Sequence, residues 1–209
     1  NIEKFKRFYT EDILKASTFF SKEEFFKLSD HKASIITSIA MFYDLDDPID
    51  FARQINDCLA EDGIWFFEQS YMPGMLDSLS FDTICHEHYE YYSLTAIKYI
   101  LDRAGLHIAD VIFNDMNGSS FGVIARKQSH PISNKVLATI NWILDREKKL
   151  MLNTPSPYLQ FSSEIKLFRE ELVSLINKLR KSGATICGIG ASTKGNVLLQ
   201  YCNFSEDDF

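Results

Sequence analysis

Between Phe81 and Ser93 the chain reads FDTICHEHYEYYS, setting Cys85, His86, Glu87 and His88 in a row and following them with three tyrosines and Glu90. Two imidazoles around a carboxylate can hold a metal, exchange protons with a substrate, or sit on a polar loop. The metal reading has the wrong spacing: the helical zinc motif sets its histidines four apart, and no Cys pair supports a structural zinc site here. In an extended segment alternate residues share a face, so His86 and His88 would point one way and Cys85 and Glu87 the other. That arrangement turns one histidine into a pocket, with Glu87 orienting or oriented by its surroundings. A surface loop rich in His and Tyr is the competing reading.

A second stretch, GIGASTKGN at residues 188–196, follows ATICG at 184–188, which reads as a strand, and precedes an apolar helix from Val197. A Gly-rich turn between strand and helix presents free backbone N–H groups and a positive helix end to an anion, and Lys194 adds a charge there. The spacing is neither GxGxxG nor GxxxxGK[ST], so a tight structural turn stays open beside a phosphate or nucleotide site.

The elements that position these stretches read as α/β. Residues 1–16 form a basic lead-in with a short helix, and Ser21 caps SKEEFFKL. Ser34–Ala40 (SIITSIA) is a short continuous apolar run, as expected of a buried parallel strand. Asp47, Pro48 and Asp50 start a helix with Phe51, Ile55, Cys58 and Leu59 on one face. Glu61-Asp62-Gly63 ends it, and Ile64–Glu68 is a second buried strand, giving a right-handed parallel crossover. Ser93 caps a helix with Leu94, Ile97, Ile100, Leu101 and Ala104 inward, closed by Gly105. His107–Phe113 and Ser120–Arg126 read as an antiparallel hairpin joined through Asn117-Gly118. QSHPIS (128–133) marks a domain boundary, followed by two long helices around NTPSP, the second with an apolar stripe from Ile165 to Leu179. The domains are therefore 1–127 and 128–209.

The 209 residues, 45% hydrophobic and 13% aromatic, support a packed core. A formal net charge of −7 speaks against a general nucleic-acid binder, whose affinity rests on neutralising phosphates. Cys58, Cys85, Cys187 and Cys202 form no framework spacing, so reduced thiols and a cytoplasmic location are expected. No apolar run approaches the ~20 residues that span a bilayer, so no membrane is expected as a partner. The absent initiator Met and the ending SEDDF suggest a piece of a longer protein.

Taken together and in order, TSIAMFYDLDDP (37–48), FEQSYMP (67–73), FDTICHEHYEYYS (81–93), NGSSF (117–121) and GIGASTKGN (188–196) resemble the S-adenosylmethionine-dependent C-methyltransferases of nucleotide-linked deoxysugars. The resemblance spans nearly the whole chain. It implies a partial class I methyltransferase (Rossmann-like) sheet with an antiparallel hairpin, followed by the start of a second α/β domain that takes the sugar nucleotide. A zinc module and the cofactor-gripping first half of the central domain, both features of the family, have no counterpart here. Zinc is thus expected only in a module absent from this chain, and no metal site within it.

The resemblance implies methyl transfer from S-adenosylmethionine to the carbon beside the ketone of a dTDP-linked 4-keto deoxysugar. His88 aligns with the family's proposed base and Glu87 with its carboxylate, with His86 as second choice. Cys85 stands where some members carry a tyrosine, which puts a direct role for that position in doubt. Substrate contacts are expected from Cys85, Tyr71, Asn117, Ser119, Ser192, Lys194 and Asn196, although Asn117 and Ser119 also suit a plain hairpin turn. Cofactor contacts are expected from Ser38, Ala40, Met41 and Tyr43, because the carboxyl ends of parallel strands line the ligand crevice. Core packing is the competing role for Met41 and Phe42. Two rivals remain: a non-catalytic nucleotide-binding module and, more weakly, a nicotinamide-dependent oxidoreductase.

Overall fold

A computed structural model describes residues 2–10, 13–190 and 192–208, excluding the side chains of Ile2, Glu3, Lys6, Asn117 and Asp207. A short α1 (Ile2–Phe5) and α2 (Lys22–Leu28) precede β1 (Ala33–Ile39), and the Ser21 hydroxyl accepts from the Glu24 N–H to cap α2. After a 3-10 turn at Phe42–Asp44 comes α3 (Pro48–Cys58), started by Asp47, whose carboxylate accepts from the Asp50 N–H, and by Pro48 in the first turn. Then follow β2 (Leu59–Ser70), α4 (Met72–Asp77), a 3-10 turn at Phe81–Thr83 and α5 (Leu94–Arg103). The hairpin β3 (Leu106–Asn114) and β4 (Ser120–Lys127) leads to α6 (Asn134–Lys149), α7 (Ser156–Lys181) and α8 (Thr193–Cys202).

The strands form one four-stranded sheet in the order β1-β2-β4-β3, with β1 parallel to β2 and β4 antiparallel to both of its neighbours. This is the expected partial class I sheet, finished by the hairpin. One face is the core: Trp65 and Phe67 of β2 pair across to Ala125 and Val123 of β4, and all four are fully buried. Ile55 of α3 and Leu94, Ile97 and Leu101 of α5 close over it. Burying an apolar side chain of this size stabilises by about 1.5–3 kcal/mol. Phe42 lies within 6.0 Å, centroid to centroid, of Phe51, Trp65, Phe67 and Tyr92, which anchors the Phe42–Asp44 turn to the core. The Trp65 indole N–H donates to the Ser38 hydroxyl at 3.1 Å.

Several expectations give way here. Glu61-Asp62-Gly63 does not separate helix from strand: α3 stops at Cys58, and the EDG residues form an irregularity inside β2, where the pairing jumps from Ala33↔Leu59 to Ile35↔Ile64. The run of β1 is covered on one face only: Ile36 packs against the core and Ser38 is buried, whereas Ile35, 64% exposed, and Ile39, 52%, lie on the alternate, uncovered face. No strand forms at Ala184–Gly188, since no ladder runs beside that segment, and the described residues beyond 128 are otherwise helical. Of the expected stripe on α7, Ile165 and Ile176 are buried, with Phe161 beyond it also buried, while Leu175 is half-exposed. Ile140 and Ile143 of α6 join the same core as the sheet. No helix among the described residues is long and apolar enough to cross a membrane.

His107 on β3 is buried, and that burial, helped by the nearby charge of His130 and opposed by a backbone bond at Lys127, lowers its pKa from the ordinary 6.5. The unfolded chain therefore takes up a proton below pH 6.5 that the folded chain resists, so stability falls as pH drops through that value and is level above it. Urea midpoints for the wild type should drop between pH 7 and the region below 6.5, whereas His107→Gln should show a flatter dependence. A midpoint that rises on acidification would contradict the assignment.

Candidate active site

The segment that carries the histidines has no regular structure of its own and is held by its borders. It turns at His86 and Glu87, with the His88 N–H donating to the Cys85 carbonyl at 3.3 Å. The extended alternation expected of it does not hold, and the two imidazoles part company: His86 is exposed, whereas His88 is half-buried. Beyond the turn, the N–H groups of Tyr89 and Glu90 both donate to the Tyr43 carbonyl at 3.1 Å. The Tyr43 ring packs against the His88 ring at 4.3 Å between centroids, and Tyr91 stands on the imidazole at 6.4 Å. The Tyr91 hydroxyl in turn donates to the Thr83 carbonyl at 3.4 Å.

These contacts place His88 on a cleft of about 400 Å³ off the carboxyl ends of β1 and β2. Tyr43 and Ser70 come from the sheet side, Asp82, Thr83, Cys85 and Glu87 from the histidine segment. Ser192, Thr193 and Lys194 close it from the start of α8. There the Ser192 hydroxyl accepts from the Gly195 N–H as the helix cap. The two stretches singled out in the sequence, over a hundred residues apart, thus share one cavity.

The electrostatics centre on the carboxylates. Partial burial and the neighbouring Glu87 raise the pKa of Asp44 above its ordinary value, while His88 pulls it down. Burial also raises the phenols of Tyr43 and Tyr91, so both remain protonated donors at neutral pH. An imidazole packed against a phenol, with the Asp44 carboxyl group in electrostatic reach, can accept a proton and have the resulting cation stabilised. Among the described residues no three His, Cys, Asp or Glu side chains gather as metal ligands.

The other expected residues are distributed less simply. Ala40 turns the end of β1 at φ 51, its N–H donating to the Glu68 carbonyl at 2.9 Å, and it is exposed with only a methyl side chain. Met41 packs against the core edge, and the Ser38 hydroxyl is turned inward to Trp65. Tyr71 and Ser119 line a different cavity of about 300 Å³ beside Trp142 and Arg146. The Tyr71 hydroxyl donates to Glu147 at 2.9 Å and is thus committed within the protein. Asn196 is exposed on α8, and the side chain of Asn117 lies outside the described residues. Sequence reasoning missed Asp44, Ser70, Asp82, Thr83 and Thr193. Asp44 stood unmarked within TSIAMFYDLDDP ahead of the helix start at Asp47, and Asp82 stood within the histidine stretch without a spacing to mark it.

Residues 2–111 match a family model described as a methyltransferase domain, and residues 115–209 match one described as a C-methyltransferase C-terminal domain. The chain is 27% identical over 176 residues to the C-methyltransferase NovU of Streptomyces niveus, an alignment covering 84% of this chain and 41% of that protein. The chain thus spans well under half the length of that relative. Among solved structures, the O-methyltransferase NcsB1 of neocarzinostatin biosynthesis overlaps with a TM-score of 0.35 at 17% identity, covering 46% of this chain and 29% of that one. The CcbJ methyltransferase from Streptomyces caelestis overlaps with a TM-score of 0.36 at 11% identity, covering 48% and 59%. The chain belongs to the methyltransferase-domain family whose model matches its residues 2–111.

Because the Tyr43 ring covers one face of His88, its removal should expose the imidazole without unfolding the protein. In Tyr43→Ala, carbethoxylation of His88 by diethylpyrocarbonate should speed up severalfold, while His86, already exposed, reacts at its wild-type rate. The unfolding free energy should change by no more than about 1–2 kcal/mol for this half-buried ring. Equal acceleration at both histidines would mean general loosening instead.

Proposed function

We propose that the whole protein transfers a methyl group from S-adenosylmethionine to the carbon beside the ketone of a dTDP-linked 4-keto deoxysugar, with His88 as the general base. The observation that carries this is the shared cleft: His88 stands on Tyr43 at one wall and the start of α8, with Ser192 and Lys194, stands at the other. The positive end of a helix and a nearby ammonium suit a diphosphate. An imidazole lining the same cleft suits the acidic hydrogen beside a carbonyl, a task general bases of this type perform.

His88 takes the proton from that carbon, and the C–H electron pair passes into an enolate whose charge rests on the ketone oxygen. Asp44, in electrostatic reach of His88, stabilises the imidazolium so formed. The protonated phenol of Tyr43 supplies a donor at the same wall. When bound, S-adenosylmethionine would supply an electrophilic methyl to the enolate carbon, its methyl–sulfur bond breaking to leave neutral S-adenosylhomocysteine. The chain's own residues fit the donor in part. Ala40, small and exposed in a left-handed turn at the end of β1, leaves room there, and Met41 and Tyr43 border it. The Ser38 hydroxyl is engaged with Trp65 and leaves this set. A cytoplasmic location accords with a nucleotide-linked substrate.

In the complete protein His88→Ala should lower kcat by a factor of roughly 10²–10⁴ and leave the affinity for the sugar nucleotide within about twofold. A variant that still methylates at near wild-type rate removes His88 from the base role. The α8 wall of the cleft also favours a second reading, a nucleotide-binding module without catalysis. Calorimetric titration of this chain with dTDP and with S-adenosylhomocysteine separates the two: heat from dTDP alone supports the module for this part of the protein.

A further inference from the structure

Glu147 of α6 lies among charged neighbours in the run DREKK, yet it is only 2% exposed. Its carboxylate is saturated by donors from one segment of the chain. Oε1 accepts from the Leu94 N–H at 2.7 Å and from the Tyr71 O–H at 2.9 Å, and Oε2 accepts from the Thr95 N–H at 2.8 Å and from the Thr95 hydroxyl. Tyr71 opens the excursion that leaves the sheet after β2, and Leu94 and Thr95 end it at the start of α5. Next to this knot, the Met72 N–H donates to the Tyr92 carbonyl at 2.9 Å and Tyr71 bridges Tyr92 as a parallel pair. Everything between, His88 included, is a closed loop tied at its base by Glu147 and at its far side by the Tyr43 carbonyl.

Capping alone does not account for this carboxylate. The Ser93 hydroxyl already caps α5, accepting from the Ala96 N–H at 3.2 Å. A carboxyl group taken out of water is destabilising unless its lone pairs are met, and the donors that meet these come from Tyr71, Leu94 and Thr95. Those donors belong to the two ends of the histidine loop, and the acceptor comes from a helix on the other side of the boundary between the two matched families.

We infer that Glu147 is a positioning residue for the His88 loop, fixing where the imidazole stands by tying Tyr71 to Leu94 and Thr95. The inference rests on the reading of His88 as the base for its effect on turnover, but not for its effect on the loop. Glu147→Gln is the sharper variant, because an amide is nearly isosteric but must turn an NH₂ group toward one of the N–H donors. Tyr71→Phe removes a single bond and leaves the helix cap intact.

The test is amide hydrogen exchange in the complete protein, read at Tyr89 and Glu90, whose N–H groups hold the loop to Tyr43, and at Val123 in the central sheet as a reference. In Glu147→Gln, exchange at Tyr89 and Glu90 should rise about tenfold or more relative to Val123, with Tyr71→Phe moving the same way by less. Turnover should fall on the order of tenfold to a hundredfold, as for a misplaced base, with the affinity for S-adenosylhomocysteine unchanged. If only Thr95 and Ala96 exchange faster while Tyr89 and Glu90 stay at wild-type rates, Glu147 is a helix cap and the inference falls. Faster exchange at Tyr89 and Glu90 together with an active His88→Ala variant would keep the positioning role and discard the base. Should Glu147→Gln not fold, Tyr71→Phe decides by the same amides.

Discussion

The carbonyl of Tyr43 holds the site together. Two consecutive N–H groups, from Tyr89 and Glu90, converge on it and fasten an otherwise irregular loop to the turn that follows β1. That turn is itself immobilised because its neighbour Phe42 is fully buried among Phe51, Trp65, Phe67 and Tyr92. The position of His88 is therefore set by the aromatic core through a backbone acceptor rather than by a helix or strand of its own. Such an arrangement suits a base, whose reach must be correct within a fraction of an ångström, provided that the loop is tied at more than one point.

Around this centre the molecule is asymmetric. The face of the sheet under α3 and α5 is densely packed, while the β1 edge presents Ile35 and Ile39 to solvent. The α7 stripe and the 184–190 segment are also incompletely covered, with Leu175 half-exposed and Ile189 wholly so. These surfaces belong to a chain that spans 41% of the length of its C-methyltransferase relative. The cleft itself is built from both matched segments, since the methyltransferase-domain residues Tyr43 and His88 face Ser192 and Lys194 of the C-terminal one. A substrate held there would touch both.

The sequence carried the local physics well and the long-range physics poorly. Caps at Ser21, Asp47 and Ser93, the inward face of α5 and the closing hairpin were legible because each depends on residues within a few positions. Burial was not: SIITSIA reads as an interior strand, and only the sheet order reveals that β1 has one neighbour. ATICG has strand chemistry without a ladder to join. At the site, the histidine stretch and the Gly-rich turn each stood out, but the turn at His86-Glu87 defeated a period-two argument, because periodicity presumes regular backbone. Asp44 and Glu147 were invisible for a plainer reason. A carboxylate in a charged run looks like solvent-facing surface until its partners, 52 to 76 residues away for Glu147, are brought beside it.

The central claim, an imidazole placed to remove a hydrogen beside a ketone, has a direct readout that needs no methyl transfer. The complete protein would be incubated in deuterium oxide with a 4-keto sugar nucleotide and no methyl donor, and the sugar examined by proton NMR. The account predicts that the signal of the hydrogen beside the ketone is lost faster with protein than in buffer, and at the buffer rate with His88→Ala. Loss at the buffer rate in the presence of the wild-type protein, with the sugar nucleotide shown to be bound, would contradict it.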